Sequence, residues 1–392
     1  MKKVLIYFQE EELAPTGGPK GYLYNLKNQL DKMSDLEIEI SFIKNGRERI
    51  NKYKRKIEEM KSGKLKKVLV ITKRIIKHFL LVYGKKHYSL VDLGEYDYIH
   101  FHSTLDMYSV RDSLKNYKGK VILSSHSPMV LSKEILDSIS DFEKKVCGFI
   151  YDKLIKMDEY AFNNSDYLIF PCEEAEEPYY HTWKEYKKIK EKNKQKYRYL
   201  LTGIQECQIK IDKRDIRKKY NIPQDAFVIS YVGRHNAIKG YDLFTEICSS
   251  VIKEQNVYVL VAGTEGPIMG LQDEKWIRVG WTKDPHSIIN ASDVFILPNR
   301  ETYFDLILLE VLSIGKIIIA SYTGGNKYFN NQKYGGIFLY NSISQATNEI
   351  NKIKNMSKKE RQQLEKSNHT VYETEFSAKI FAENYIKLLS TL

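Results

Sequence analysis

Short apolar runs alternate with longer helical patterns along most of this chain, and the alternation repeats in two successive blocks. The first block predicts strands at 3–8, 37–43, 97–101, 120–124, 166–170 and 197–202. The second predicts strands at 227–232, 257–262, 276–280, 293–297 and 316–320, with helical patterns such as 241–253 and 304–314 between them. Strands separated by helices of this length are typical of βαβ units with parallel sheets. The 392 residues suffice for two such α/β domains.

The boundary between the blocks falls near 200–225, where a Lys-rich run and Asn221-Ile222-Pro223 interrupt the pattern. A weak internal echo accompanies the two blocks, because Ser165–Pro171 and Ser292–Pro298 share the sequence Ser-Asp-x-x-Ile-x-Pro. Coincidence in two similar helix–strand junctions would also explain this echo. Together with the two strand series, it favours two Rossmann-like halves that face a cleft. Ligands of such sheets bind beyond the carboxyl ends of the strands, so the loops there are the candidate sites.

Composition excludes several classes of protein. The apolar content of 42% is that of a globular chain, and no run of 18 uncharged apolar residues is present to span a bilayer. The four cysteines are scattered without a Cys-x-x-Cys pair, which argues against a zinc site and a disulfide framework. The first residues lack the apolar region and cleavage site of a secretory signal. We therefore expect a soluble, cytoplasmic protein.

Two glycine-rich loops follow predicted strands. The first contains Gly17 and Gly18 and precedes a helix that begins near Tyr22. Backbone N–H groups at such a helix start suit a phosphate, although an ordinary glycine-rich turn is the better explanation of the loop when it is taken alone. The second loop runs from Gly233 to Asp242. It carries Arg234 and Lys239 at the carboxyl end of a strand, where two cations can converge on one diphosphate.

A third candidate region follows the predicted strand at 293–297. Glu310 lies there among apolar neighbours in a helical pattern, so its carboxylate should be hydrogen-bonded. A pair of ligand hydroxyls and a structural salt bridge are equally good partners for this acid. Gly324 and Gly325 form a further glycine loop after the strand at 316–320.

These motifs occur in a familiar order: Gly-Arg-x₄-Lys-Gly, a Ser-Asp-strand-Pro unit, a Glu that ends Phe-x-Leu-x-x-Leu-Glu, and Gly-Gly. The order resembles that of retaining GT-B glycosyltransferases, and more narrowly that of glycosyltransferase family 4 (glycosyl transferases group 1). The resemblance is specific over 227–330 and looser over 1–200. It implies a GT-B fold with an acceptor domain at 1–203 and a nucleotide-sugar domain at 204–374. A C-terminal helix at 375–392 would pack back on the N-terminal domain.

The resemblance also implies roles for individual residues. Arg234 and Lys239 would clamp the donor diphosphate, and Glu310 would hold the ribose hydroxyls. His126, after the strand at 120–124, matches the histidine near the reacting sugar. The implied donor pocket includes Gly17, Gly18, Gly233, Glu301, Thr302, Asp305, Leu306, Gly324 and Gly325.

One position departs from the family pattern Glu-x₇-Glu. Counting back eight positions from Glu310 reaches Thr302, where the family has an acid that meets the donor sugar. Glu301 stands next to it and could take over that role. Asp305 also replaces a customary Gly.

The resemblance implies a retaining hexosyltransferase-type glycosyltransferase (EC 2.4). We expect it to need no metal or other cofactor, since no Asp-x-Asp or His/Asp cluster with ligand spacing occurs. The donor would be a nucleotide-diphosphate sugar, with a UDP-sugar favoured. The acceptor would be a glycan, a lipid-linked molecule or a protein in bacterial cell-surface polysaccharide or capsule assembly. The alternative is an inactive GT-B-like binding or partner subunit.

Two further classes fit less well. A nucleic-acid-binding protein would suit the net charge of +12, but the chain contains no RNA- or DNA-binding motif. A NAD-dependent enzyme would need the dinucleotide fingerprint Gly-x-Gly-x-x-Gly, which is missing.

The positive charge is concentrated in residues 44–88, which contain sixteen Lys and Arg against three acids. Seven apolar residues recur there at helical spacing: Leu65, Val68, Leu69, Ile75, Ile76, Phe79 and Leu80. Five cationic residues populate the other face or its margins: Lys66, Lys67, Lys73, Arg74 and Lys77. An amphipathic helix of this kind either packs on its own domain or lies on an anionic membrane surface. We expect the second, with the enzyme peripheral at the inner face of the plasma membrane.

Overall fold

The computed structural model describes residues 1–9, 13–15, 18–34, 37–43 and 63–392. Contacts between residues divide the chain into two compact units. The first unit consists of Met1–Ala14, Met33–Phe170 and Tyr179–Tyr199. The second unit consists of Pro15–Lys32, Pro171–Pro178 and Leu200–Leu392. Each unit is built on one parallel β-sheet, so the predicted α/β class with two Rossmann-like domains is confirmed.

The sheet of the first unit has six strands in the order β2-β1-β3-β4-β5-β6. All of its neighbouring strands pair in parallel. The strands are β1 (Lys2–Tyr7), β2 (Ile38–Phe42), β3 (Tyr98–Phe101), β4 (Lys120–Ser124), β5 (Tyr167–Phe170) and β6 (Tyr197–Tyr199).

The sheet of the second unit also has six parallel strands, in the order β12-β11-β10-β7-β8-β9. The sequence predicted five of them close to their observed bounds and missed β12. Strands β10 and β11 are buried along their whole length, which is why they read as uninterrupted apolar runs. The strands are β7 (Phe227–Val232), β8 (Val257–Ala262), β9 (Trp276–Gly280), β10 (Val294–Leu297), β11 (Ile317–Ser321) and β12 (Ile337–Tyr340).

Helices connect the strands and cover the sheets. Up to residue 193 they are α1 (Pro19–Leu30), α2 (Lys64–Tyr83), α3 (Thr104–Ser109), α4 (Arg111–Leu114), α5 (Leu131–Ser138), α6 (Asp141–Tyr151), α7 (Ile155–Asn164), α8 (Glu177–Thr182) and α9 (Tyr186–Asn193). After it they are α10 (Lys213–Lys219), α11 (Tyr241–Val251), α12 (Pro285–Ala291), α13 (Leu306–Ile314), α14 (Ile343–Asn355), α15 (Lys358–Val371) and α16 (Ala378–Thr391). In the described ranges no helix is both long and apolar enough to cross a bilayer.

Helices α1 and α16 pack together, and the two rings of Tyr22 and Phe381 meet edge to face with centroids 4.8 Å apart. By its contacts α1 belongs to the second unit, although it follows the first strand of the first sheet. The C-terminal helix therefore packs on a segment from the N-terminal part of the chain.

The Ser-Asp echo has the same structural role in both sheets. Asp166 precedes β5, and its Oδ2 accepts a hydrogen bond from the N–H of Val121 at 2.9 Å while its own N–H donates to the Val121 carbonyl at 2.8 Å. Asp293 precedes β10 and makes the same two bonds with Val228, at 2.8 and 2.7 Å. Each aspartate thus fixes the start of one strand against its neighbour.

Arg217 of α10 ties this junction to the core of the second unit. Its side chain is 2% exposed and donates to Asp293 at 2.9 Å and to the carbonyls of Gln224, Ala226 and Ala291. A buried guanidinium is tolerated because every one of these donors has an acceptor.

We expect Arg217→Ala to destabilise the second unit strongly. Breaking a buried ion pair by removing one partner costs about 3–5 kcal/mol. Each kcal/mol shifts the Tm of a unit of this size by about 2–4 °C, so the Tm should fall by about 6 °C or more. Arg214→Ala, three residues earlier on the exposed side of α10, is the control and should change stability by about 0.5 kcal/mol or less. Equal melting of both variants in differential scanning calorimetry would contradict the structural role of Arg217.

Candidate active site

The loop between β7 and α11 lies against the end of β10. Gly240 has a φ of +64°, and a Cβ there would lie 1.7 Å from the carbonyl oxygen of Pro298. Only glycine permits this close approach. At the other end of the loop, the N–H of Gly233 donates to the carbonyl of Ala262 at 3.0 Å. The loop is therefore fixed at both ends to neighbouring strands of the sheet.

Lys239 and Asp305 form an ion pair across this loop. Lys239 Nζ donates to both carboxylate oxygens of Asp305, at 2.9 and 2.7 Å. Asn299, just after β10, donates a further hydrogen bond to the same carboxylate. The sequence predicted separate places for Lys239 and Asp305 in the donor pocket, and it did not predict that they pair.

Asp305 stands at the N-terminus of α13 but does not cap it with its side chain. Burial raises the pKa of its carboxyl, but the charge and hydrogen bonds of Lys239 outweigh this, and the Asn299 bond and the charge of Arg234 add to them. The pKa of Asp305 is therefore below its usual value, and the group is ionised at neutral pH. Arg234 itself is exposed, and its charge reaches the same carboxylate that Lys239 binds.

A second ion pair connects the same two segments. Arg300 donates to both carboxylate oxygens of Asp242 at 2.6 and 2.5 Å and also to the carbonyl of Ala237 at 2.8 Å. The backbone N–H of Arg300 donates to the carbonyl of Ile238 at 3.0 Å. This bidentate contact holds the loop that carries Lys239 against the segment after β10.

The Gly324-Gly325 loop packs on the backbone of the same segment. Gly324 has a φ of +44°, and a Cβ there would lie 1.9 Å from the carbonyl oxygen of Thr302, while Gly325 donates to that oxygen at 3.3 Å. Thr302 is buried and Glu301 is half-buried. Thus Thr302 contacts the glycine loop through its backbone.

A carboxylate that the sequence analysis did not consider binds this glycine loop. Glu177, at the start of α8, accepts a hydrogen bond from the N–H of Gly324 at 3.3 Å and forms an ion pair with Lys327. The three residues belong to the second unit. An N–H group expected at the sugar-diphosphate pocket is therefore bonded to an acid of the protein itself.

Glu310 is paired with a histidine. His286 of α12 lies with its Nε2 3.2 Å from Oε2 of Glu310. Burial lowers the pKa of His286, but its hydrogen bonds with Cys207 and Glu310 and the negative charge of Glu310 outweigh this effect and raise the pKa to about 10. Of the two partners that the sequence left open for Glu310, the structure contains a salt-bridge partner, His286. That contact uses Oε2, so the other carboxylate oxygen of Glu310 lies outside it. No sequence signal pointed to His286, which lies 24 residues before Glu310.

His126 lies in the first unit, after β4. Its Nε2 is 2.9 Å from Nδ1 of His102, and the two rings stack with centroids 5.2 Å apart. His100 lies beyond His102 and contacts the hydroxyl of Ser124 at 2.9 Å. Burial lowers the pKa of His126 to about 3, so its imidazole is neutral at pH 7 and can exchange hydrogen bonds without carrying charge.

The remaining predicted residues occupy the starts of two helices. Gly18 has a φ of +77° and precedes α1, which begins with Pro19, and Leu306 is the first residue of α13. Gly17 lies outside the described residues. In the part of the chain that the structure describes, no group of three or more His, Cys, Asp or Glu is arranged to hold a metal ion. Metal independence therefore stays a prediction.

Comparison with known proteins connects this geometry to a family. Residues 226–355 match the family model described as glycosyl transferases group 1. The O-antigen biosynthesis glycosyltransferase WclY of Escherichia coli is 24% identical over 188 residues, which cover 46% of this chain and 51% of WclY. A UDP-Gal:α-D-GlcNAc-diphosphoundecaprenol α-1,3-galactosyltransferase of the same organism is 28% identical over 161 residues, which cover 36% of this chain and 41% of that enzyme. The chain thus spans about half the length of the curated relatives it matches.

The fold comparison covers the whole chain. The structure of HepE from Anabaena, solved with UDP and glucose, superposes with a TM-score of 0.61 at 13% identity and covers 100% of both chains. This likeness shows the fold. The chain therefore has the GT-B fold, with two Rossmann-like domains, and its residues 226–355 are similar to glycosyl transferases group 1.

His286 should titrate well above the usual pKa of a histidine, and His126 should titrate well below it. With a pKa of about 10, the ring of His286 should stay protonated at pH 8, whereas the ring of His126, with a pKa of about 3, should stay neutral at pH 6. Because the pKa of His286 is raised by folding, its contribution to stability is complete below about pH 6.5 and is lost as the pH rises through about 10. Nitrogen NMR of labelled histidine, assigned with His286→Gln and His126→Gln variants, measures both rings. Titration of His286 near pH 6.5 would contradict the pairing with Glu310.

Proposed function

We propose that this chain transfers a sugar, with retention of the anomeric configuration, from a nucleotide-diphosphate sugar to an acceptor hydroxyl. One observation carries this function: the loop after β7 and the N-terminus of α13 meet through Lys239 and Asp305, with the charge of Arg234 beside them. Cations and a helix N-terminus at the carboxyl edge of a parallel sheet are a suitable site for an anionic donor.

Sugar transfer from this donor requires that the leaving diphosphate be stabilised. As the bond between the sugar C1 and the diphosphate oxygen breaks, negative charge grows on the phosphate and positive charge on the sugar. Lys239 is held in place by Asp305 before reaction, and Lys239, Arg234 and the backbone N–H groups at the start of α13 can stabilise that charge. The acceptor hydroxyl would attack from the face that the diphosphate leaves, and its proton would pass to a donor phosphate oxygen.

Glu310 would hold the ribose of the donor with the oxygen outside the His286 contact. Relatives support a UDP-sugar as donor, because one curated relative uses UDP-Gal and HepE was solved with UDP. The first acid of the Glu-x₇-Glu pattern is missing, so the half-buried Glu301 would take its place at the donor sugar.

The acceptor would be a glycan or lipid-linked molecule in bacterial surface-polysaccharide assembly. Two relatives support this setting, since WclY is named for O-antigen biosynthesis and the galactosyltransferase for a diphosphoundecaprenol acceptor. Such an acceptor would place the enzyme at the inner face of the plasma membrane, attached through residues 44–88. Residues 44–62 of that segment lie outside the described residues.

An inactive binding or partner subunit is the second candidate. It is favoured by the carboxylates that already occupy the donor groups: Asp305 binds Lys239, and Glu177 binds Gly324 and Lys327. Hydrolysis and transfer assays with UDP-, GDP- and dTDP-sugars separate the two candidates. Binding of a nucleotide sugar without turnover in any acceptor mixture would favour the inactive subunit.

Loss of either clamp cation should slow transfer. Removing one preorganised charge contact costs about 2.7–4 kcal/mol, so Lys239→Ala and Arg234→Ala should each lower kcat by about 10²–10³. Lys333→Ala is the control, because this lysine forms an exposed ion pair with Glu375 in the same unit. Near-normal kcat in both clamp variants would contradict the assignment, and EDTA should leave the wild-type rate unchanged.

The carboxylate of Asp305 should compete with donor phosphate for Lys239. We therefore expect Asp305→Asn to tighten UDP binding about tenfold, which corresponds to about 1.4 kcal/mol. Asp242→Asn is the matched control, since it removes the charge of a neighbouring aspartate that pairs with Arg300 instead. Isothermal titration calorimetry measures both. Weaker UDP binding by Asp305→Asn alone would show that the carboxylate positions Lys239 for the ligand.

A further inference from the structure

Half of the exposed large apolar side chains in the described ranges lie on two helices of the first unit, α2 and α6. Soluble proteins rarely expose apolar side chains in so concentrated a patch without a partner that covers them. We name this surface the two-helix face. It is formed by Leu65, Val68, Leu69, Val70, Ile76, Phe79, Leu80 and Tyr83 of α2, and by Phe142, Val146 and Phe149 of α6.

Helix α2 is apolar on two opposite sides. Leu81 is buried and, with the partly buried Ile75 and Val82, belongs to a cluster that includes Cys147 and Ile150 of α6. Since successive residues of a helix are separated by about 100°, Leu65, Ile76 and Tyr83 fall on one line along the other side. That line is exposed. The sequence pattern was compatible with packing on the domain and with an outward surface, and α2 has one apolar side for each.

Helix α6 extends the exposed line. Phe142, Val146 and Phe149 are all exposed on α6, whose backbone leaves helical geometry at Cys147, between Val146 and Phe149. The ring of Tyr83 joins the two helices, with centroids 5.0 Å from Phe79 and 6.4 Å from Phe149.

A buried ion pair fixes the two helices to each other. Arg74 of α2 donates to both carboxylate oxygens of Glu143, with the closer contact at 2.5 Å, and the Glu143 side chain is 0% exposed. Ser140 and Glu143 also form a capping box that starts α6. The ion pair therefore holds together the two helices that present the apolar face.

The charges around the face are all of one sign along α2. Residues 63–88 contain eight Lys and Arg and no Asp or Glu. Lys66, Lys73 and Lys77 fall within about 40° of each other around the helix, along one edge of the apolar line. Such a row of lysines parallel to an apolar stripe complements a surface that is negative outside and apolar inside, as a bilayer with anionic lipids is.

We propose that the two-helix face docks on a bilayer that contains anionic phospholipids. The aromatic and aliphatic side chains of α2 and α6 would lie at the level of the acyl chains, and the lysine row would contact the lipid phosphates. The inference rests on the membrane attachment in the proposed function and deepens it, because it adds α6, which lies outside residues 44–88. It also assigns the contact to named side chains.

Vesicle flotation with the full-length protein tests the docking. Vesicles of phosphatidylcholine with phosphatidylglycerol should bind the wild type at low salt, and pure phosphatidylcholine should bind it at least tenfold more weakly. Changing Lys66, Lys73 and Lys77 together to Glu should lower binding at least tenfold. Changing Lys184, Lys187 and Lys188 together to Glu removes the same charge from an exposed segment of the same unit and should preserve binding.

The apolar contribution has its own variants. Phe79→Ser with Phe149→Ser should abolish the binding that remains at high salt, while Ile209→Ser with Met269→Ser, two exposed apolar positions elsewhere, should not. No binding to anionic vesicles at low salt, or equal binding by the two Lys-to-Glu variants, would overturn the docking. So would a dimer of the wild type in ultracentrifugation that Phe79→Ser with Phe149→Ser dissociates, because the face would then join two copies.

UDP titration without vesicles separates this inference from the proposed reaction. Lost vesicle binding with intact UDP binding would overturn the docking alone. Intact vesicle binding without UDP binding would leave the docking standing and overturn the proposed reaction.

Discussion

The ion pair between Lys239 and Asp305 fixes the geometry on which the candidate site depends. It joins the loop after β7 to the first turn of α13, two segments 66 residues apart in sequence. The close approach of Gly240 to Pro298 and the ion pair of Arg300 with Asp242 support the same junction. A lysine alone in that loop would have many conformations, and its ordering would cost side-chain entropy when a ligand binds. The pair removes that cost but places a carboxylate where an anionic donor would bind.

The same balance recurs around the site. Glu177 binds the N–H of Gly324, and His286 binds Glu310. Lys239, Gly324 and Glu310, three of the groups that the family resemblance assigns to donor recognition, are thus each paired with an internal partner of opposite polarity. A diphosphate must exchange places with acids at Lys239 and Gly324, whereas at Glu310 the partner is a cation that can stay. Donor affinity therefore depends on the free energy that is needed to displace Asp305 from Lys239 and Glu177 from Gly324.

Much of the fold could be predicted from the sequence because buried parallel strands are apolar along their whole length. The repeated Ser-Asp sequence also marks a structural feature that occurs in both sheets, since Asp166 and Asp293 each bind the start of one strand to the neighbouring strand. Strand β12 escaped prediction because Ile337–Tyr340 is only four residues long and partly exposed.

The partners within the site could not be predicted in the same way. Lys239 and Asp305, or His286 and Glu310, meet only through the tertiary fold, and nothing in their local sequence specifies the contact. For the basic helix α2, part of the structure was predictable from the sequence and part was not. Its periodicity indicated an amphipathic helix, but only the structure shows which side the domain buries and that α6 extends the other.

A crystal structure of the chain with UDP tests the position of the donor most directly. We expect the diphosphate to contact Lys239 Nζ and the N–H of Leu306, with Asp305 displaced. The ribose hydroxyls should donate to Glu310 while His286 keeps its contact. UDP bound elsewhere, with the Lys239–Asp305 pair intact and Glu310 bonded to His286 alone, would contradict it.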